Sequence, residues 1–249
     1  MERFRLSLQL YTIRSETKRD FLGACRRVAE MGYRWIEPAG WGDLKPEFLR
    51  REFDAMGLGV SGSHVGPEAV LNDADKIIED HLALGCRDLT IAWVPESFRV
   101  SAEAWRGTAS QFNRAAERFA HAGLRLGYHN HNFEFEKFDG RTGWRILFET
   151  APQLQGQVDT FWVAKAGFDP AESIRFLKGR APSVHVKDLG EDCKDIEFGL
   201  GVLDWPSIFY ACSESGVEYL VAEMDNPRLP PLESAELCLK NLKKALADG

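Results

Sequence analysis

Apolar residues recur along the chain in a repeating unit: a helical stretch, a glycine, then a short strand-like run. In stretches such as Phe21, Cys25, Val28 and Met31, or Trp105, Phe112, Ala116 and Phe119, apolar groups fall on one face at helical spacing. The unit reads AEMGYRWIEP, DAMGLGVSGSH, LALGCRDLTIAW, AHAGLRLGYHNH and SESGVEYLVAE. In each, the glycine (Gly32, Gly57, Gly85, Gly123, Gly216) sits where a helix ends and the backbone must turn through positive φ.

Eight strands are expected, near residues 4–11, 33–38, 58–64, 87–93, 124–131, 156–162, 182–188 and 218–224. Strands alternating with helices imply parallel pairing, because each crossover helix returns the chain to the same edge. Eight such units without a long linker or composition shift predict a single α/β domain over residues 1–249, a (β/α)8 TIM barrel. The competing doubly wound open sheet normally carries a Gly-rich phosphate loop after an early strand. No Walker motif is present, and the one G-x-G-x-x-G, Gly57 to Gly62, lies within an expected strand and not between a strand and a following helix.

Charge narrows the class of partner. A formal net charge of −7 and a pI near 5.5 argue against nucleic acid, whose binders carry basic patches. No run approaches the ~20 apolar residues of a membrane span. No apolar signal segment follows Met1, and the five cysteines are scattered without a C-x-x-C pair. A cytoplasmic enzyme is the expectation, with homo-oligomerisation left open.

The active site of such a barrel lies at the C-terminal ends of its strands. The expected strands end at Glu37, His64, Trp93, the run Tyr128-His129-Asn130-His131 with Glu134 beyond, Asp159, His185-Val186-Lys187-Asp188, and Glu223 with Asp225 following. Four of six histidines fall there, while His81 and His121 lie in helical patterns. Buried ionisable groups are costly unless paired or metal-bound, and converging imidazoles and carboxylates suit a divalent metal.

These stretches resemble the xylose isomerase-like TIM-barrel superfamily, in particular its sugar phosphate isomerase/epimerase branch. The likeness runs from LSLQLYTIR through GYRWIEP, GLRLGYHNHNFEF, QVDTFWVAKAG and SVHVKDL to VEYLVAEMD. It implies one divalent metal, commonly manganese and sometimes magnesium, cobalt or zinc, held by Glu, Asp, His and Glu from the last four strands. Asp159, His185 and Glu223 match the last three ligands. The first is replaced by histidine, His129 in the foremost reading, with His131 or Glu134 as alternatives. That departure resembles a sub-branch including the inosose dehydratases, and it removes one acid–base carboxylate of the sugar epimerases.

For chemistry, His131 and Lys187 are the candidate acid–base groups, Lys187 lying two residues after His185 and so on the same side of its strand. Lys187 serves equally as a neutralising partner for Asp159 or Glu223. Glu37, His64, Trp93 and Glu134 are candidate substrate contacts, with Trp162 as a further apolar wall. Asp188 or Asn130 is expected to orient the ligand histidines. No Gly-rich loop is evident after strand seven or eight, so neutral sugars, keto-sugars or cyclitols fit better than phosphorylated ones. The expected activity is isomerisation or epimerisation of a keto-sugar or sugar derivative, with dehydration of a keto-sugar or keto-cyclitol as the alternative and simple sugar binding as a third.

Overall fold

The computed structural model describes residues 4–247. Eight parallel strands form a ring: β1 (Arg5–Gln9), β2 (Trp35–Glu37), β3 (Gly59–Val60 with Ser63–Val65), β4 (Asp88–Ile91), β5 (Arg125–His129), β6 (Gln155–Asp159), β7 (Ser183–Val186) and β8 (Tyr219–Ala222). β8 returns to β1 with Ala222 opposite Leu8. The first segment of β3 pairs with β2 and the second with β4, which closes the circle. The barrel replaces the open sheet as the only arrangement consistent with this pairing.

Helices α1 (Phe21–Met31), α2 (Pro46–Met56), α3 (Ala74–Leu84), α4 (Ala102–His121), α5 (Gly143–Thr150), α6 (Pro170–Phe176), α7 (Trp205–Ser215) and α8 (Pro231–Ala247) follow the strands in turn. α1 shows how the sequence specifies them. The Asp20 carboxylate caps it by accepting from the Gly23 N–H at 2.9 Å, Cys25 and Val28 are fully buried, and Gly32 ends it at φ 102°. No helix among the described residues is long and apolar enough to cross a membrane. None of the five cysteines forms a disulfide.

The two faces of each strand differ in chemistry. Leu8, Ile36, Leu126, Val158, Val184 and Leu220 are buried in the apolar core. Their neighbours Ser7, Gln9, Glu37, Gln157, Ser183 and His185 turn the other way; Ser7 bonds to Ser61, and the rest hydrogen-bond to one another across the lumen. The barrel is therefore filled with polar side chains, which need partners because water is excluded.

The break in β3 has a consequence for the site. Ser61 Oγ bonds to Ser7 Oγ at 2.7 Å, so Ser61 faces the lumen. Strict alternation would turn His64 outward, yet its Nε2 lies 2.7 Å from Gln157 Oε1 inside the barrel. The interruption at Ser61-Gly62 shifts the phase by one residue and brings His64 in.

Seven of the eight strands end before the pattern predicts, and two of those ends bear on the site. β4 ends at Ile91, and Trp93 beyond it is half exposed. β6 ends at Asp159, because Asp159 Oδ1 accepts from the Trp162 N–H at 3.1 Å and starts the short helix Thr160–Lys165.

Candidate active site at the barrel mouth

The inward positions at the C-terminal strand ends deliver the chemistry. His129 closes β5, Asp159 closes β6, His185 lies in β7, and Glu223 follows β8. One donor atom from each of the four lies within 4.8 Å of the others, and all four side chains are buried. His64, His129 and His185 form an overlapping group. His64 and His185 stack with ring centroids 5.2 Å apart and planes 4° apart.

His185 is held from both sides. Its Nδ1 lies 2.9 Å from Glu223 Oε2, and its Nε2 lies 3.3 Å from both oxygens of Glu37. Burial disfavours the imidazolium, but the carboxylates of Glu223 and Glu37 outweigh it and raise the His185 pKa to about 10. Burial likewise opposes ionisation of Glu37, yet His185 and His64 hold its carboxyl well below the usual range.

Glu37, expected at substrate hydroxyls, is instead fully buried in the lumen. Its oxygens accept from Gln9 Nε2 at 3.2 Å and Gln157 Nε2 at 3.0 Å, and lie 2.9 Å from His64 Nε2. Glu37 thus stands against His185, where Asp188 or Asn130 was expected. Asn130 is engaged with the backbone of Asp159. Gln9 and Gln157 were missed by the sequence reading, since an amide on one strand carries no signal of its partner.

Lys187 is fully buried and ringed by carboxylates. Its Nζ lies 3.0 Å from Asp159 Oδ2, 2.8 Å from Glu223 Oε2 and 2.7 Å from Asp225 Oδ2. Burial alone would favour the neutral amine, but these three carboxylates raise its pKa well above the ordinary value. Lys187 is an ammonium here, which fits an acid or a counter-charge better than a base.

His131 lies just beyond β5. Its ring stacks on Phe133 at 5.4 Å and sits 5.3 Å from Trp162 and 5.2 Å from His129. Its Nδ1 is buried without a hydrogen-bond partner. Burial and the nearby Lys187 charge lower its pKa to about 4, so the imidazole is neutral at physiological pH. Glu134, expected at the substrate or the metal, is turned away. It accepts from Tyr128 Oη at 2.6 Å and the His131 N–H at 2.7 Å, and burial raises its pKa to about 8. Trp93 makes no ring contact with the cluster among the described residues.

The donor set fits a divalent cation. His129 Nδ1 and Asp159 Oδ2 are buried without a hydrogen-bond partner. Asp159 Oδ2 has Lys187 Nζ at 3.0 Å, but as an ion pair without a well-directed hydrogen bond. Burial lifts the Asp159 pKa to about 6 despite Lys187. Lys187 faces Asp159, Glu223 and Asp225, and His185 faces Glu37 and Glu223, so four carboxylates meet one ammonium and one imidazolium and the mouth carries an excess of buried negative charge. Two imidazoles and two carboxylates form a mixed N/O set that could hold a divalent metal ion.

A Gly-x-Gly turn, Gly199-Leu200-Gly201, does follow β7, contrary to the sequence reading. It is already filled. Asp188 Oδ2 accepts from the N–H groups of Gly199 and Gly201 at 3.0 and 3.1 Å and from Trp205 Nε1 at 2.9 Å. The amides that cradle phosphate in many barrels are occupied by this chain's own carboxylate.

A family model described as xylose isomerase-like TIM barrel matches residues 25–245. No curated protein matches the sequence. Among solved structures, a sugar phosphate isomerase/epimerase from Parabacteroides distasonis superposes with TM-score 0.85 at 23% identity, covering 98% of this chain and 95% of that one. The IOLI protein with a bound zinc atom gives 0.79 at 13% identity, covering 98% and 99%. A probable 3-DHS dehydratase, AsbF of Bacillus anthracis, gives 0.76 at 13% identity, covering 96% and 99%.

Proposed function

The chain belongs to the xylose isomerase-like TIM-barrel family, and from that premise we propose that it is a divalent-metal-dependent isomerase or epimerase. Its substrate is a neutral keto-sugar or sugar derivative, and the key step is proton abstraction beside the carbonyl. The observation that carries the reading is that buried His129 Nδ1 and Asp159 Oδ2 lack hydrogen-bond partners within a cluster completed by His185 and Glu223. Those four residues hold the ion, manganese being the first choice. The bound ion supplies Lewis-acid polarisation of a carbonyl or hydroxyl oxygen.

The chain's own groups do the rest. Glu37 accepts from His185 Nε2 and keeps the opposite nitrogen turned to the Glu223 side. His131, neutral and held between Phe133 and Trp162, takes the proton from carbon through its unpartnered Nδ1. The Lys187 ammonium donates toward oxygen as negative charge develops there. With Glu37 and Glu134 both engaged elsewhere, one imidazole base replaces the carboxylate pair of the sugar epimerases. A single base returns the proton it has taken, which favours a shift between neighbouring carbons. The Asp188-filled turn supports an unphosphorylated substrate.

A second reading, a lyase that expels water, has one observation in its favour: the buried Lys187 ammonium is a ready acid for a departing hydroxyl. Incubating the metal-loaded protein with keto-sugars and cyclitol ketones in heavy water separates the two by proton NMR and mass. Deuterium at the carbon beside the carbonyl with mass otherwise conserved supports isomerisation, and loss of water supports the lyase. Absence of exchange with every substrate overturns both.

A further inference from the structure

A cavity of about 590 Å³ opens beside the donor cluster, and the chemistry above leaves it unused. That volume lies within the ~300–1,000 Å³ of ordinary small-molecule pockets. Two of its walls are shared with the mouth. Asp225 Oδ2 is 2.7 Å from Lys187 Nζ, and the Trp162 ring is 5.3 Å from that of His131. Lys187 Nζ is itself 5.7 Å from the Trp162 ring centroid and 3.0 Å from Asp159. Asp225 and Trp162 therefore border both the mouth and this cavity.

The lining describes the ligand. Phe161 and Trp162 supply an aromatic wall, their rings 4.8 Å apart, and the buried Trp162 Nε1 has no hydrogen-bond partner. The cations Lys165, Lys194 and Arg228 face the carboxylates Asp192, Asp195 and Asp225, three against three. Arg228 is already paired with Asp192 at 2.6 Å. A balanced lining selects neither a phosphate nor an amine. Asp195 Oδ2 accepts from the backbone N–H groups of Asp225 and Asn226 at 2.8 Å, which anchors the Asn226 backbone. The Asn226 amide makes no hydrogen bond among the described residues. An aromatic wall with unpartnered N–H and amide groups is suited to a neutral ring bearing many hydroxyls.

Resting on the keto-sugar reading, we propose that this cavity is a second sugar-ring subsite. The substrate is then a keto-sugar carrying a further neutral glycosyl ring, not a free monosaccharide. The reacting unit lies at the cluster, and the second ring lies between Trp162 and Asn226.

Calorimetric titration of the Mn2+-loaded protein with D-fructose, isomaltulose and lactulose tests this. The two keto-disaccharides are expected to bind about tenfold tighter than D-fructose, the gain expected from one stacked and hydrogen-bonded ring. Asn226→Ala should remove most of that gain while leaving D-fructose affinity and metal content unchanged. Equal affinities for all three sugars, or a gain untouched by both Asn226→Ala and Trp162→Ala, overturn the subsite and leave the keto-sugar reading standing. Tight inorganic phosphate binding that Lys194→Ala abolishes also overturns it, by making the cavity an anion site. If none of the three sugars binds, the keto-sugar reading itself falls and takes the subsite with it.

Discussion

The two ends of the barrel are built from the same kind of inward-facing charged residues, yet they are balanced differently. At the N-terminal end, Arg5 bonds to Tyr219 Oη at 2.9 Å and lies over the Trp35 and Tyr219 rings. Arg125 there pairs with Asp88 at 2.8 Å and Glu218 at 2.9 Å. Arg125 is matched by two carboxylates and Arg5 lies against aromatic rings, with solvent nearby. At the C-terminal end, four carboxylates stand against one ammonium and one imidazolium, and two buried donor atoms are left without hydrogen bonds. One end is a plug of paired and ring-stacked guanidinium groups; the other carries negative charge to spare. Closure of the barrel explains the plug, whereas the mouth makes physical sense with a cation added.

The largest expected effect separates the ends through metal. At a concentration about 100 times its Kd, a ligand stabilises a protein by about 2.7 kcal/mol, so Mn2+ should raise the melting temperature by roughly 5–10 °C. His129→Ala should abolish that rise, while His129→Glu should keep it. Full metal content in His129→Ala would remove His129 from the ligand set and leave it a role on substrate only.

Next comes the support beneath the mouth. Glu37→Gln should weaken metal binding by roughly 10–100-fold, measured by metal titration, because His185 loses its orienting carboxylate charge. An unchanged affinity would mean that the lumen fills space without organising the site.

A pH effect sharpens the picture at Glu134. Its folded pKa of about 8 stands above the ordinary 4.5, so the folded state holds this proton more tightly than the unfolded chain. Its contribution is fully present below the ordinary value and is lost as pH rises through about 8. Melting curves from pH 4 to 9 should show that slope in the wild type and a flatter profile in Glu134→Gln. A steeper profile in the variant would place the proton elsewhere.

The smallest effect belongs to the plug. Arg125 is 42% exposed, so its ion pairs are screened by solvent, and Arg125→Ala should cost at most about 1 kcal/mol. Metal affinity should not change. A loss of metal binding in this variant would couple the two ends and break the distinction between them.

Much of this arrangement is legible without coordinates. The eight strands, the glycines that end the helices, and the placement of His129, Asp159, His185 and Glu223 at strand ends all follow from local periodicity. The reason is that a strand's alternation depends only on its own neighbours, and it already decides which side chains face inward. Lys187 is legible in position for the same cause, two residues after His185.

What local pattern does not contain is the depth of each inward residue and the identity of the group it meets. Glu37 and His185 are 148 positions apart, and Glu37 and Gln157 are 120 apart. Their contact exists only once the ring closes, so Glu37 read as a rim residue when it is a lumen partner. The same holds for Asp188, whose carboxylate fills a turn 11 to 13 residues further on, and for Glu134, drawn aside by Tyr128. His64 depends on the break in β3, which shifts its side chain by one phase. The sequence by itself determined the strands, their inward faces and the donor types. Only the tertiary structure decided which donors meet, because charge balance and hydrogen bonding across a barrel are set by strands far apart in the chain.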